Sequence, residues 1–452
     1  MNKTLLKFKI TPRVVKADEV TKVEIYALDD SCRFYDDTEY VVKVSDVDSY
    51  AYPNKEQTGT GYRQIDEKIV VKPSGGVLSF EYRFTGEHLW HVNVARVECE
   101  KHIPKNRLHW AVHQNRLLDS IFSFDIYSLY EDLYEKKPFK GDLHVHSYAS
   151  DGQESPALVA AQYRENGFDF MSLTDHYVLK PSFDLIETFK DIKTDFVIFP
   201  GEEIHHSKGM SGFHVVNFNP KYSVNDIIEE DNGVTEEVME IAKTLGIEDE
   251  CDAVQVAWYR WIYDNVKKAG GINIHPHPFW EVRGGYNIKS NITNEVYKRG
   301  LLDVVEILGG CDVKNNALQA QLYYEAVRNG IRYPVVASSD SHSTLSGTGL
   351  FDKVWTVVYA KDKDEIVKSV TEGMTAAVDN QVDNHRNVYA ESVRLARYTW
   401  FLLDNYFDRK TMLLSAAGQA ITRYIQGDKG QNTLIELLEN EARKYDKEFF
   451  GR

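Results

Sequence analysis

The sequence predicts a three-part chain: an all-β sandwich over residues 1–135, an α/β barrel-like domain over 136–385 and a helical segment over 386–452. Three observations carry this reading. Short runs alternating apolar and polar residues fill the first part. In the second, buried-strand runs alternate with helical stretches, and helical apolar spacing dominates the third. At 452 residues the chain is too long for one ordinary core, and its 42% hydrophobic content suits packed globular domains.

In the first part, KTLLKFKITP, EVTKVEIYAL, TEYVVKVSDV, EKIVVKP, GVLSFEYRF and HLWHVNVARVE alternate with period two between the turn clusters DD, PN, TGTG and PSGG. That pattern predicts an antiparallel, immunoglobulin-like sandwich of about seven strands, with GEHLWHVNV as a late strand. Trp90 and Trp110 read as core or interface residues, and His91, His109 and His113 lack paired ligand spacing. The sandwich is read as a packing platform or dimer contact rather than a binding module. SLYEDLYEKKPFK reads as the linker out of it.

In the second part, FDFMSLTDH, DFVIFPGEEIHH, GFHVVNFN, GGINIHPHP and YPVVASSDSH are short apolar runs bounded by Gly, Pro or polar residues, as expected of buried strands. Between most of them lie helical stretches such as PALVAAQYREN, DAVQVAWYRWIYDNVKKAG and NALQAQLYYEAVRNG. Ser155 and Pro156 are suited to the N-cap and first helical position before ALVAAQYREN. Alternating strands and helices imply a parallel sheet or barrel, whose chemistry lies at the carboxyl ends of the strands. The acid-rich stretch from Tyr222 to Glu250 reads as an inserted loop able to act as a lid.

Those strand ends repeat one set of side chains. GDLHVHSYASD places His144 and His146 two apart, on one face of an extended segment, and then Asp151 in the following turn. Later runs end in Asp175 and His176, in Glu202, Glu203, His205 and His206, in His275 and His277, and in Asp340 and His342, while His214 opens another. One such residue is as often structural as functional. The recurrence argues for a site, because charged groups are rarely buried unpaired. Imidazoles and carboxylates without thiolate suit zinc, manganese or iron and leave the choice open. No P-loop, nucleophile elbow or dinucleotide fingerprint supplies another chemistry.

From about Gly141 to about Asn380 these motifs resemble the PHP superfamily, named for polymerase and histidinol phosphatase domains. DLHVHS matches the first motif, with Asp151 where many members carry Asp, and SLTDH matches the second, contributing His176. PGEE resembles the Gly-x-Glu motif, which selects Glu203 over Glu202. FHVVNF contributes His214, and SSDSH contributes Asp340 and His342. The family's histidine before proline falls in GGINIHPHP. Counting from Gly270-Gly271 favours His277, leaving His275 to line the site or hold a ligand in place. Glu306 in VVEILGG reads as a brace.

The resemblance implies a distorted (βα)7 barrel holding two or three divalent ions. His144, His146, Glu203 and Asp340 would surround one; Glu203, bridging, would hold a second with His214 and His277; Asp151, His176 and His342 would surround the third. It further implies hydrolysis of a phosphate ester, a small metabolite or nucleotide, by a metal-held hydroxide. Arg283 in HPFWEVRGG falls where family members often carry a phosphate-contacting Arg, or else forms a surface ion pair with Glu281 or a neighbour, with Lys208 and His206 as weaker candidates; His205 and His206 read as residues behind the ligands or at the rim. Tyr148, Tyr177, Trp280 and Tyr286 flank the motifs and could stack on a base or sugar. The alternatives are hydrolysis of an amide or lactone on the same ions, a proofreading exonuclease, and a non-catalytic metal-binding module. The last would be expected to lack a ligand, yet every motif position is filled.

In the third part, VYAESVRLARYTWFLLDNYF, KTMLLSAAGQAITRYIQ and NTLIELLENEARKYDKEFF show helical spacing, broken near Phe407-Asp408 and over Gly427–Asn432. Tyr398, Trp400, Phe401 and Phe407 form an aromatic stripe suited to a core. This segment or the sandwich would be the contact of a homo-oligomer. A net charge of −16 argues against nucleic acid as the main partner, although ligand carboxylates contribute part of it. MNKTLLKFKITPRVV lacks a sustained apolar core, and no run of about 18 apolar residues occurs, so no membrane partner is expected. Cys32, Cys99, Cys251 and Cys311 are scattered without a CxxC pair, which fits free thiols and a cytoplasmic protein.

Overall fold

Period-two alternation in the first part builds two sheets around one core. The computed structural model describes residues 7–47, 67–96, 120–205, 214–282, 284–345, 349–382 and 385–452. The chain divides into two compact units, one of residues 1–136, 401–409 and 441–452, the other of 137–400 and 410–440.

The first unit contains β1 (Phe8–Thr11), β2 (Val14–Lys16), β3 (Val20–Ala27), β4 (Tyr40–Asp46), β5 (Glu67–Val71), β6 (Val77–Arg83), β7 (Leu89–Arg96) and β8 (Ser120–Leu129). They form the sheets β1-β3-β6 and β2-β8-β7-β4-β5. Val23 and Ile25 of β3 and Leu78 and Phe80 of β6 share a core with Val42, Val92 and Ile126 of the other sheet, which makes the pair a sandwich. Two of these strands lie outside the six runs read from the sequence: β8, and β2, which pairs in parallel with β8 and is too short to show a period. Trp90 is buried, and its indole N–H donates to Ser128 Oγ at 2.8 Å. His109, Trp110, His113 and Cys99 lie outside the described residues. The expected linker is mostly structured, holding α1 (Glu131–Tyr134) and the start of the next strand.

The second unit follows the alternation of strands and helices. Its elements are β9 (Lys137–Val145), α2 (Pro156–Glu165), β10 (Phe170–Leu173), α3 (Lys180–Phe189), β11 (Val197–His205), β12 (His214–Phe218), α4 (Val224–Glu230), α5 (Val234–Thr244), α6 (Glu250–Ala269) and β13 (Ile272–His275). A small hairpin, β14 (Glu281–Val282) and β15 (Gly285–Tyr286), precedes α7 (Ser290–Arg299), β16 (Val304–Leu308), α8 (Val313–Arg328) and β17 (Val335–Ala337). Then come β18 (Val354–Ala360), α9 (Ile366–Thr371), β19 (Thr375–Val382) and β20 (His385–Ala390). One sheet runs in the order β17-β16-β13-β12-β11-β10-β9-β18-β19-β20. Val145 at the end of β9 also pairs in parallel with Ser341, just past β17, and His146 N–H donates to Ser341 O at 2.9 Å. The stretch from β9 round to β17 thereby meets itself.

Ser155 caps α2 as its sequence suggests, accepting from Leu158 N–H at 3.3 Å with Pro156 at the first helical position. Two expectations need correction. The strands are not all parallel: β12 is antiparallel to both β11 and β13, because the 206–213 connection is too short for a parallel crossover. The stretch 222–250 is not a free loop either. It forms α4 and α5, whose Val224, Val234 and Val238 are buried in the main core of this unit.

The C-terminal segment forms α10 (Val393–Asn405), α11 (Phe407–Ile425) and α12 (Gln431–Phe450), broken where the sequence suggests. It is not a separate domain, since residues 401–409 and 441–452 belong to the first unit and the remainder to the second. In the first unit, buried Arg13 donates to Asn405 Oδ1 at 2.8 Å, and Tyr406 packs on Phe449 and Phe450. In the second, Arg164 of α2 forms a buried ion pair with Glu439 of α12. No helix among the described residues is long and apolar enough to cross a membrane.

Candidate metal centre

Strand parity selects which side chains reach the centre. On β9, His144 and His146 share a face, and both are buried. On β11, Glu203 and His205 share the corresponding face, whereas Ile204 points into the hydrophobic core. Glu202 also points the other way. Its oxygens accept from Asn217 Nδ2 at 2.8 Å, Val224 N–H at 2.7 Å, Ser223 Oγ at 2.6 Å and Asn225 Nδ2 at 3.0 Å, so it braces the start of α4.

Fully buried Glu203 lies at the middle of the cluster. Its Oε2 lies 3.2 Å from His144 Nε2, 3.3 Å from His146 Nε2 and 2.7 Å from His176 Nδ1, and its Oε1 lies 2.6 Å from His214 Nδ1 and 3.5 Å from His277 Nε2. Asp340 Oδ1 approaches His144 Nε2 at 3.3 Å and His146 Nε2 at 2.9 Å. In the outer part, Asp151 Oδ1 lies 3.2 Å from His342 Nε2 and 3.6 Å from His176 Nε2. Among the described residues four donor groups follow: His144, His146, Glu203 and Asp340; Glu203, His214 and His277; His146, Asp151, His176 and His342; and His176, Glu203 and His205. Within each, one ligand atom per residue lies within 4.8 Å of every other.

Close approach does not make these atoms hydrogen-bonded. His144 Nε2, both ring nitrogens of His146 and His277, both oxygens of Glu203, His214 Nδ1 and Asp340 Oδ1 are buried without a hydrogen-bond partner. Buried polar atoms are seldom left so, and here their lone pairs converge. That convergence, with a donor set of imidazole and carboxylate, fits divalent cations. His277 and Asp340 adopt φ of 24° and 50°, left-handed backbone uncommon for residues with a side chain. A Cβ on Gly310 would lie 2.3 Å from Asp340 Oδ2, so the glycine makes room for that carboxylate.

The ambiguous histidine falls to one side. His277 joins the cluster, whereas His275 is buried between Tyr259 and Tyr297, with ring centroids 5.4 and 5.9 Å away. Glu306 orients His144, its Oε2 lying 3.2 Å from the His144 Nδ1, and its Oε1 accepts from His277 N–H at 3.2 Å. This is the carboxylate–histidine arrangement that fixes a ligand's tautomer. Asp175 accepts from Ser147 N–H at 2.7 Å and from the Ser147 and Ser150 hydroxyls, holding the loop that carries Asp151. Glu154 accepts from Ser343 Oγ at 2.8 Å and joins that loop to the one carrying His342. His205, read from sequence as lying behind the ligands or at the rim, is buried, with its Nε2 2.7 Å from His176 Nδ1. Its parity with Glu203 was the available signal. Arg283, His206 and Lys208 lie outside the described residues.

Electrostatics match this crowding. Burial works against ionised Glu203, but His214, His176 and His144 hold its carboxyl well below the usual range. Burial would lower His144, and Asp340 and Glu203 more than reverse it. His342 is pushed up to about 9, Asp151 and Asp340 outweighing burial. Asp151 is drawn down to about 2 despite burial, chiefly by His342. Burial lowers His205 to about 2 and His275 to about 3.

No family model matches the chain, and no curated protein does. Among solved structures, it is similar to a two-domain protein from Bacteroides vulgatus containing a predicted PHP-like metal-dependent phosphoesterase, at 18% identity over 54% of this chain, with a TM-score of 0.37. The match spans 65% of that protein, just under two thirds. It is also similar to a candidate metal-dependent phosphoesterase from Bifidobacterium adolescentis (17% identity, 51% of this chain and 96% of that one, TM-score 0.36). An amidohydrolase from Chromobacterium violaceum, with bound sulfate and no metal, matches at 17% identity over 45% of this chain and 87% of its own, TM-score 0.30. At such scores these likenesses carry no argument; the motif order and the ligand geometry carry the resemblance. The chain resembles the PHP-like metal-dependent phosphoesterases.

Proposed function

We propose that this PHP-like chain is a metal-dependent hydrolase of phosphate esters, acting on a small phosphorylated metabolite or nucleotide. One observation carries the reading: orphaned imidazole and carboxylate atoms from the ends of β9, β11, β12, β13 and β17 converge on buried Glu203. On this reading the strands from β9 round to β17 are a distorted (βα)7 barrel, supported by the Val145–Ser341 pairing. The order β2-β8-β7-β4-β5, with β2 parallel to β8, supports an immunoglobulin-like sandwich in front.

His144, His146, Glu203 and Asp340 would hold one ion, Glu203, His214 and His277 a second, and Asp151, His176 and His342 a third. Bound there, zinc, manganese or iron would supply Lewis acidity and a nucleophile at neutral pH. The chain's own residues do the positioning. Glu306 keeps His144 turned toward Glu203 and Asp340, and Asp175 and Glu154 hold the loops carrying Asp151 and His342. Trp280 stands beside His214 and His277, with ring centroids 5.7 and 5.8 Å away and its surface partly exposed, as a wall for the ester's organic group. Arg283, two residues after Glu281 in the sequence, is assigned the phosphate.

The test is elemental analysis of protein purified without chelator, together with p-nitrophenyl phosphate, nucleotide, amide and lactone substrates in the presence of Mn, Zn or Fe. Two or three ions per chain with phosphate release are expected. Turnover of only an amide or lactone would replace the phosphoester reading. Absence of metal after reconstitution would overturn the site itself.

A further inference from the structure

His205 is not needed for any of the three proposed ion seats, yet the fold builds it in. β11 and β12 pair with His205 directly opposite His214, and their ring centroids are 4.2 Å apart. On its other side the ring lies against Tyr177, 4.5 Å away and tilted by 31°. The backbone N–H donates to Asn225 Oδ1 at 3.3 Å. Held on these sides, the ring presents Nε2 to His176 Nδ1 at 2.7 Å.

His176 faces two ways. Its Nε2 looks toward Asp151 Oδ1 at 3.6 Å, while its Nδ1 lies 2.7 Å from both His205 Nε2 and Glu203 Oε2. A histidine that ligates through one ring nitrogen carries its proton on the other and needs an acceptor there. Glu203 Oε2 is a poor choice, because two other imidazoles, His144 and His146, also crowd it and the inner ions would occupy it. His205 offers the remaining lone pair.

We infer that His205 is a positioning residue for the outermost ion: it accepts the Nδ1–H of His176 and so keeps His176 Nε2 aimed at the seat shared with Asp151 and His342. Without that acceptor, Glu203 captures the Nδ1–H and turns His176 inward. The inference rests on the trinuclear reading above and assigns His205 a part in it.

The experiment compares metal content and Co(II) titration, followed by visible absorbance, in the full chain and in His205→Leu and His205→Gln. Glutamine keeps an acceptor oxygen of similar reach; leucine fills the space without one. Three ions are expected in the parent and in His205→Gln. His205→Leu should hold two, its third Co(II) binding at least ten-fold more weakly, with an unchanged melting temperature. Three tight ions in His205→Leu would overturn the inference while leaving the trinuclear reading intact. Equal loss in both variants would also overturn it, because it would make His205 a packing residue or a direct ligand. A parent that binds no ion, or only two, would remove the trinuclear reading and this inference with it.

Discussion

Glu203 shows how far a single side chain can determine a site. Imidazoles from four different strand ends lie near its oxygens, so removing it should empty more than one seat. Glu203→Gln is expected to lose at least two ions by elemental analysis, whereas Cys251→Ala, on the exposed start of α6, should lose none. Glu306→Gln keeps the shape but weakens the hold on His144 Nδ1, and should reduce metal affinity by roughly 10–100-fold in chelator competition. The pH dependence has a definite sign. His144, His176 and His277 are raised above their usual value and His342 reaches about 9, so without metal these rings carry protons that metal must displace. Metal affinity should therefore rise with pH up to about 9, and loading should release protons, measurable by calorimetry in buffers of different ionisation heat. Arg283→Ala should raise KM for phosphate esters with metal content unchanged; equal loss of both would remove its assigned role.

At the scale of elements, strand parity and loop bracing do the work. β11 uses consecutive carboxylates for opposite purposes: Glu203 faces the donor cluster and Glu202 secures the start of α4. A one-residue shift in register would exchange them. The β16–α8 turn depends on Gly310, because any side chain there meets Asp340. Gly310→Ala should reduce metal content while lowering the melting temperature little, as checked by elemental analysis and thermal denaturation. Ser155→Ala gives the opposite pattern. Losing the cap of α2 should cost about 1 kcal/mol in chemical denaturation and leave metal content unchanged.

At the scale of the molecule, binding energy and folding energy are linked. The site gathers three carboxylates and several imidazoles, many without hydrogen-bond partners, so ions that bind only the folded state should stabilise it. Each ion is expected to add about 2.7 kcal/mol when free metal is 100 times its Kd. Chelator should therefore lower the melting temperature reversibly, and an unchanged melt would argue against a loaded site. Distant segments also anchor the second unit. Arg164 and Glu439 are buried together, and Arg164→Ala would leave Glu439 uncompensated at a cost of about 3–5 kcal/mol.

Much of this was legible because it is local. Period-two alternation announces the sandwich strands, apolar runs announce the buried ones, and His144 with His146 share a face in any extended segment. The motif order also named nine candidate ligands, Glu203 among them, whose donor atoms lie together in the fold with those of His205. What remained hidden depends on partners far along the chain. His275 and His277 both precede proline; the motif count favoured His277, and the turn of the backbone after β13 is what sends it into the cluster and leaves His275 between tyrosines. The reversed direction of β12, the packed helices over 222–250 and the division of the last helices between two units are likewise tertiary decisions. His205 is the clearest case. Its own sequence neighbourhood leaves it behind the ligands or at the rim, and the part proposed for it emerges only when β11 lies beside β12 and the end of β10. The sequence by itself determined the donor chemistry and the strand faces, because both follow from residue type and backbone period. Which donors meet was decided by long-range pairing alone.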